Sequence, residues 1–197
     1  MTVPLPAITI WQPYASLIAT GAKIYETRDY PPPAHHIGKR IAIHAAKSTE
    51  DLRFLQDYLI SGLRADHPDA QCDAIVTALK NAGFSKLVDM PRGAVVCTAV
   101  LAAAYRCGAV DNTGKVFVTR WLPGNSDPLF IQSDPFGNYS PNRWAWLLKD
   151  VQPLAAPAPA RGKQGWWSWS PNLQSDSALL SQRRPSAPGG SPELFLE

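Results

Sequence analysis

Proline is the feature that most restricts what this chain can fold into. Nineteen prolines are spread along 197 residues, which is about twice the usual frequency of roughly 5%. A proline inside a helix costs about 3 kcal/mol, because it has no amide hydrogen and its ring clashes with the preceding turn. The sequence therefore excludes an all-helical bundle and predicts short elements joined by proline-bounded loops.

Composition narrows the class of protein further. No stretch approaches the roughly 18 consecutive apolar residues of a transmembrane helix, and residues 1–6 have no basic residue ahead of an apolar core, as a signal peptide would. The three cysteines are scattered, form no CxxC pair and are odd in number, so the sequence favours free thiols in a reducing compartment. We expect a cytoplasmic protein without membrane contact. The net charge of +3 neither indicates nor excludes a nucleic-acid partner.

The apolar pattern switches repeatedly between the strand period and the helix period, which predicts an α+β domain over residues 1–170. The core strand of this domain is a nearly unbroken apolar run at 93–104. We also expect strands at 7–10, 24–28, 40–45, 115–119, 129–132, 144–148 and 166–169, and a short helix that begins at Pro13 and ends at Gly21. The proline-rich residues 153–159 are predicted to be a connection between the last two strands.

A helical pair is predicted as an insertion at about residues 48–84. The first helix begins at a capping-box-like Ser48 and Asp51, and its apolar residues are Leu52, Leu55, Leu59 and Leu63. The second helix places Cys72, Ile75, Val76 and Leu79 on one face.

Residues 171–197 are rich in proline, serine and glycine and have no sustained periodicity, so we predict a disordered tail. Residues 193–196 of this tail are a candidate docking motif, with a loose chain end as the alternative.

One segment concentrates the chemistry of the sequence. After a short strand, Trp11, Gln12 and Pro13 lead into the first helix, and the pattern G-x-K-x-x-E-x-R follows with Lys23, Glu26 and Arg28. Glu26 and Arg28 share strand parity, so their side chains point the same way. Lys23 has the opposite parity and joins them only if it lies in the turn before the strand. Three charges beside an apolar strand are costly unless they pair, so a structural ion pair is one interpretation and a ligand site is the other.

These residues resemble the opening of the ASCH domain family, which belongs to the PUA-like superfamily. The resemblance continues in three later blocks, so it covers residues 8–169 apart from the helical insertion. The matching positions and blocks are Gln12, Pro13, Tyr14, Gly21, Lys23, Glu26 and Arg28, then Gly38–Lys47, Pro91–Val96, and a last block of Tyr139–Leu148 followed by Pro153 and Gly165–Trp169.

The resemblance implies a PUA-like small mixed β-barrel with flanking helices and a cleft for RNA or a modified nucleotide. The residue types agree with such a cleft, since cations can contact phosphates and aromatic rings can stack on bases. Arg143, Arg161 and Lys163 are further loop cations that we expect to be solvated. The predicted ligand-binding residues are Trp11, Gln12, Pro13, Lys23, Glu26, Arg28, His44 and Lys47.

Two alternatives from other functional classes stay open. Some small bacterial members of the family deacetylate the nucleoside N(4)-acetylcytidine with a lysine, a threonine nucleophile and a glutamate. Lys23 matches that lysine, but Glu26 occupies the threonine position and Thr27 is one step away. A hydrolase would use Lys23 and Glu26 as its catalytic residues, and a ribonuclease would use His44 as a base with Lys47 on the phosphate. The other alternative is a protein-interaction module that acts through the proline-rich segments and the tail.

We expect no cofactor and no metal. His35 and His36 are adjacent, so on an extended chain they point to opposite sides, and no cysteine or carboxylate cluster completes a site.

Overall fold

The computed structural model describes residues 3–60, 69–122 and 128–171. Of the predicted tail only Pro171 is included, and Leu63 and the side chain of Asp51 also lie outside the described part. Within that part, no helix is both long enough and apolar enough to span a bilayer.

Eight strands and three α-helices make up the regular structure of the described residues. The strands are β1 (Leu5–Ile10), β2 (Tyr25–Arg28), β3 (Arg40–Ala45), β4 (Ala94–Val110), β5 (Lys115–Arg120), β6 (Phe130–Gln132), β7 (Trp144–Pro159) and β8 (Trp166–Trp169). The helices are α1 (Tyr14–Ala19), α2 (Glu50–Ile60) and α3 (Ala70–Asn81), with 3-10 turns at Ala34–His36 and Leu87–Asp89.

All eight strands belong to one mixed sheet. Its order is β2-β7-β4-β3-β1-β8, with β5 paired to β4 and β6 paired to β5. Strands β1 and β3 are parallel, and the other pairs are antiparallel. The α+β class is confirmed. The predicted closed barrel is not confirmed, because the end strands β2 and β8 do not pair with each other among the described residues.

The central strand is β4, as the apolar run predicts, although it continues six residues beyond that run to Val110. It pairs with β3 on one side and with β7 on the other. Both of its faces are covered, so Val95, Cys97 and Leu101 are fully buried. A strand with two neighbours and two covered faces has no polar position over most of its length, which explains its continuous apolar sequence.

The proline-rich connection predicted at 153–159 is wrong, because these residues are the second half of β7. Pro153 pairs with Cys97 and Pro159 with Ala94, both on β4. On its other side β7 is covered by β2 only along Trp144–Leu147. The later half of β7 is therefore a sheet edge, where proline is tolerated because an edge strand leaves half of its amide groups without a ladder partner.

Both helices of the predicted insertion are present. The face of α3 with Cys72, Ile75, Val76 and Leu79 is buried as predicted. That face packs against Leu52 and Leu55 of α2, and the same cluster includes Leu17 of α1 and Phe136 from the loop before β7. Because the cluster joins the insertion to the rest of the domain, we expect the two parts to unfold together.

Replacing Leu79 with alanine tests this shared core. Leu79 is fully buried, so Leu79→Ala should lower the free energy of unfolding by about 2–5 kcal/mol. Chemical denaturation, followed by helical circular dichroism and by tryptophan fluorescence, should give one coincident transition. The exposed Thr77→Ala on the same helix is the matched control and should change the midpoint little. A separate, earlier loss of helical signal would show instead that the insertion unfolds independently.

Candidate functional site

A tight turn places Lys23 beside the first strands. Helix α1 ends at Ala19, and Gly21 has φ of 79°, a left-handed conformation that glycine adopts readily after a helix. The backbone N–H of Lys23 then donates to the carbonyl oxygen of Leu17 at 3.0 Å. Lys23 therefore lies in the turn before β2, which is the position that lets it face the same space as Glu26 and Arg28.

The Lys23 ammonium group is buried without a direct ion pair. The residue is 2% exposed, and its Nζ donates to the carbonyl oxygen of Phe136 at 3.1 Å and lies 5.8 Å from the centroid of the Tyr14 ring. Among the described residues, no carboxylate oxygen is within 4.0 Å of Nζ. Burial lowers the pKa of Lys23 below its ordinary value, although the negative charges of Glu26 and Asp134 partly oppose that shift.

Glu26 pairs instead with Arg28. The Arg28 Nε lies 2.7 Å from Glu26 Oε1, as their shared strand parity predicts. A terminal nitrogen of the same guanidinium, Nη2, donates to the carbonyl oxygen of Thr9 at 3.1 Å. Arg28 thus connects β2 to the end of β1, although these two strands are not neighbours in the sheet.

These side chains line a cavity of about 460 Å³, which we call the lysine cavity. Tyr14 and Lys23 line it together with Phe136 and Asn138 from the loop before β7. Trp11 also lines the cavity and is 47% exposed. A space of this size, lined by charged groups and by the rings of Trp11 and Tyr14, is large enough for a small polar ligand.

A second and larger cavity, of about 1310 Å³, adjoins the first, and we call it the basic groove. The two cavities share Thr9, Trp11, Arg28 and Asp29 as lining residues, so they lie side by side and meet at these residues. Among the described residues that line the two cavities, basic side chains far outnumber acidic ones. The basic residues are Lys23, Arg28, Lys47, Arg92, Arg143, Arg161 and Lys163, and the acidic ones are Glu26 and Asp29.

His44 lies in the wall of the basic groove and is 2% exposed. Its Nε2 is 3.1 Å from the carbonyl oxygen of Ala160, which can only accept, so Nε2 carries the hydrogen. Burial lowers the pKa of His44, which favours the neutral ring. Gly162 lies directly against this ring, since a Cβ atom at that position would be 2.3 Å from Cε1.

The structure brings together six of the eight predicted ligand-binding residues. Trp11, Lys23, Glu26, Arg28, His44 and Lys47 all line one of the two cavities. Gln12 and Pro13 do not. The Gln12 side chain is buried, and its Nε2 donates to Ser16 Oγ at 2.8 Å and to the carbonyl oxygen of Pro91 at 2.6 Å. Its amide therefore fixes the start of α1 against the segment before β4 and supports the site from behind.

Sequence reasoning gave too little weight to the loop cations. Arg161 and Lys163 were expected to be solvated, and they are exposed, but they lie along the basic groove. Arg92 was missed. The sequence does point to Arg92 as a site residue, because it lies between Pro91 and Gly93 in a block that resembles the family pattern.

The sequence model of the ASCH domain matches residues 8–107, just over half of the chain. The chain belongs to the ASCH domain family. The match includes the G-x-K-x-x-E-x-R pattern and the next two blocks, whereas the last block, from Tyr139 onward, lies beyond it. No curated protein matches the chain.

The two adjacent histidines of this ASCH domain are arranged differently from the prediction. Residues 34–36 form a 3-10 turn, not an extended loop, so the rings of His35 and His36 lie on the same side, 4.1 Å apart. The centroid of the His36 ring also lies 4.4 Å from the centroid of the Trp166 ring. In the described part of the chain, no group of three histidine, cysteine, aspartate or glutamate side chains is placed to hold a metal ion.

The electrostatic origin of the Lys23 pKa can be tested with two substitutions of opposite effect. Glu26 raises this pKa and Arg28 lowers it, so Glu26→Gln should lower it further and Arg28→Gln should raise it. The titration is measured from the Lys23 Cε chemical shift, assigned by its absence in Lys23→Met. The exposed Lys149 serves as the internal control. If Lys23 titrates near the ordinary value of about 10.4 in the wild type, in Glu26→Gln and in Arg28→Gln alike, then it is not buried beside these two charges.

Proposed function

We propose that this ASCH domain protein binds single-stranded RNA, with a base in the lysine cavity and the adjoining phosphates along the basic groove. The observation that carries the proposal is that the two cavities lie side by side and share Trp11 and Arg28 as lining residues. The family relationship supports it, because the ASCH domain is a PUA-like family often proposed as RNA-binding. The same relationship supports a PUA-like architecture, in a form whose sheet stays open between β2 and β8.

The charges of the basic groove suit a phosphate backbone. Lys47, Arg92, Arg161 and Lys163 are exposed and line the groove. Exposed cations gain little from isolated surface ion pairs, but a row of them releases condensed counterions when a nucleic acid binds. The groove would therefore contribute affinity that depends strongly on salt and little on sequence.

The lysine cavity suits the recognition of a base. Trp11 offers an exposed ring on which a base can stack, which contributes roughly 1–3 kcal/mol. Lys23 and Arg28 donate hydrogen bonds and Glu26 accepts them, so the cavity contains partners for both kinds of group on a base edge. Duplex RNA hides its base edges, so we assign an unpaired strand.

Substitutions in the two cavities should have different salt dependences. Lys163→Ala should weaken binding of a fluorescent single-stranded RNA and lower the slope of log affinity against log salt by about 0.7. Trp11→Ala should weaken binding roughly 5- to 150-fold at every salt concentration and leave the slope unchanged. Fluorescence anisotropy across a salt series measures both effects.

Two matched variants control this experiment. Lys149 is exposed on β7 and lines neither cavity, so Lys149→Ala should change neither the affinity nor the slope. Trp11→Phe keeps an aromatic ring and should recover most of the affinity lost in Trp11→Ala. Equal losses in Lys163→Ala and Lys149→Ala would mean that the RNA does not use the groove.

A second candidate function is hydrolysis of an N-acylated nucleoside in the lysine cavity. The observation that favours it is the buried Lys23, whose lowered pKa makes the neutral amine more available as a base. In such a reaction water adds to the amide carbonyl, Lys23 accepts the proton of the water and returns it to the leaving nitrogen, and the C–N bond breaks. Thr27 also lines the cavity, but its Oγ1 accepts a hydrogen bond from the N–H of Asn138 at 3.0 Å.

The hydrolase proposal predicts release of acetate from N(4)-acetylcytidine or a related acylated nucleoside. Lys23→Ala should abolish this release, while Lys47→Ala, which changes only the basic groove, should retain it. The rate should rise with pH through the lowered pKa of Lys23, because the neutral amine is the base. Chromatography of the nucleoside products measures the turnover, and a wild-type protein without turnover across an acylated panel would remove this candidate.

A ribonuclease mechanism has less support from the geometry. His44 and Lys47 both line the basic groove, but His44 is almost fully buried and its Nε2 is held by Ala160. A base for a ribose hydroxyl needs direct or one-water access to that group. We therefore assign His44 to the support of the loop that carries Arg161 and Lys163.

A further inference from the structure

A third cavity lies between α2 and the segment before β4, and it shares Arg92 with the basic groove. We call it the α2 cavity; its volume is about 220 Å³. Its apolar side chains are Leu52, Leu59, Ile60, Leu87 and Val88. Ile60 and Val88 are 60% and 63% exposed. A small apolar cavity that continues into exposed apolar side chains and is rimmed by polar residues is a candidate interaction surface.

The rim of the α2 cavity has one sign of charge. Arg53, Lys86 and Arg92 line it together with the neutral Thr49 and Gln56, and no carboxylate does so among the described residues. An occupant that complements this lining would combine a short apolar core with flanking negative charges.

This chain contains such a segment. Residues 193–197 read Glu-Leu-Phe-Leu-Glu, with three consecutive apolar residues between two carboxylates. The other apolar pair in residues 172–197 that offers large side chains, Leu179 and Leu180, is followed by Arg183 and Arg184. Basic residues there would be repelled by the rim, so charge distinguishes the two segments.

The length of the connection allows the segment to reach the cavity. The 22 residues from 172 to 193 span up to roughly 75 Å when extended. A domain of this size is about 40 Å across. Since the connection is longer than the domain is wide, reach does not limit which face the segment can contact.

We propose that residues 193–197 dock into the α2 cavity of their own chain. Leu194, Phe195 and Leu196 cover the apolar lining, and Glu193 and Glu197 lie against the cationic rim. This docking does not depend on the function of the lysine cavity or the basic groove.

Docking would also affect the basic groove, through Arg92. This arginine lines both the α2 cavity and the basic groove. A carboxylate of the docked segment near Arg92 would compete with a phosphate for the same guanidinium. This consequence rests on the proposed RNA function, and it predicts that the docked segment weakens RNA binding.

Paramagnetic relaxation in the full chain tests the docking. A spin label on Ser191→Cys can be attached selectively, because Cys72, Cys97 and Cys107 are buried and burial raises the pKa of their thiols to about 11, 12 and 11. We expect amide signals of residues 50–60 and 86–92 to lose at least half of their intensity. Broadening at other sites alone, or none, would overturn the proposal.

Matched variants make the result specific. Phe195→Ala in the labelled chain should abolish the broadening, and Leu180→Ala should preserve it. Val88→Asp changes an exposed side chain of the cavity, so the domain should remain folded while the broadening is lost. A mixture of labelled chains with isotope-enriched unlabelled chains should show no broadening. Broadening in that mixture would place the segment on a second copy and overturn docking within one chain.

An RNA measurement separates docking from its consequence. If both proposals hold, Phe195→Ala increases RNA affinity severalfold and Leu180→Ala does not. If the relaxation result is positive and the affinity is unchanged, docking stands and the competition at Arg92 is overturned. If no variant binds RNA, the proposed function fails while the relaxation data still decide the docking.

Discussion

Arg28 is the contact on which the arrangement of the site depends. Its guanidinium pairs with Glu26 on its own strand and donates to the backbone of Thr9 on β1. The sheet does not hold these strands together, since β2 and β1 have no ladder between them. The Arg28 side chain therefore bridges the two strands beside the lysine cavity. The same pairing occupies Glu26, and in the part of the chain that the structure describes Lys23 has no direct carboxylate partner.

A buried ammonium group without an ion pair lowers the stability of the folded domain. Because the folded pKa of Lys23 is lowered, the unfolded chain binds more protons between that pKa and the ordinary value of about 10.4, and the domain loses stability as the pH falls through this window. A methionine would fill similar space without this cost. Lys23 opposes folding and lines the lysine cavity beside the exposed Trp11. A destabilising charged group in such a place is typical of a functional site.

Local rules predicted the parts of the structure that depend on local geometry. Strand parity paired Glu26 with Arg28, helical spacing gave the buried face of α3, and alternation gave β3 with its correct ends. Rules of this kind fail where a distant strand decides the environment. Pro153 and Pro159 belong to β7 because β4 lies beside them, and Gln12 turns inward because the carbonyl of Pro91 accepts from it. Sheet closure likewise depends on contacts between chain segments far apart in sequence.

Because Gly162 lies against the His44 ring, the residue at position 162 affects the electrostatic potential of the basic groove although it carries no charge. Since the ring occupies the space that a side chain at 162 would need, any larger residue there must displace either the imidazole or the loop. Arg161 and Lys163 are its immediate neighbours, so displacement of the loop moves two positive charges at once. Variation at this neutral site would retune the electrostatic potential of the groove without adding or removing a charge.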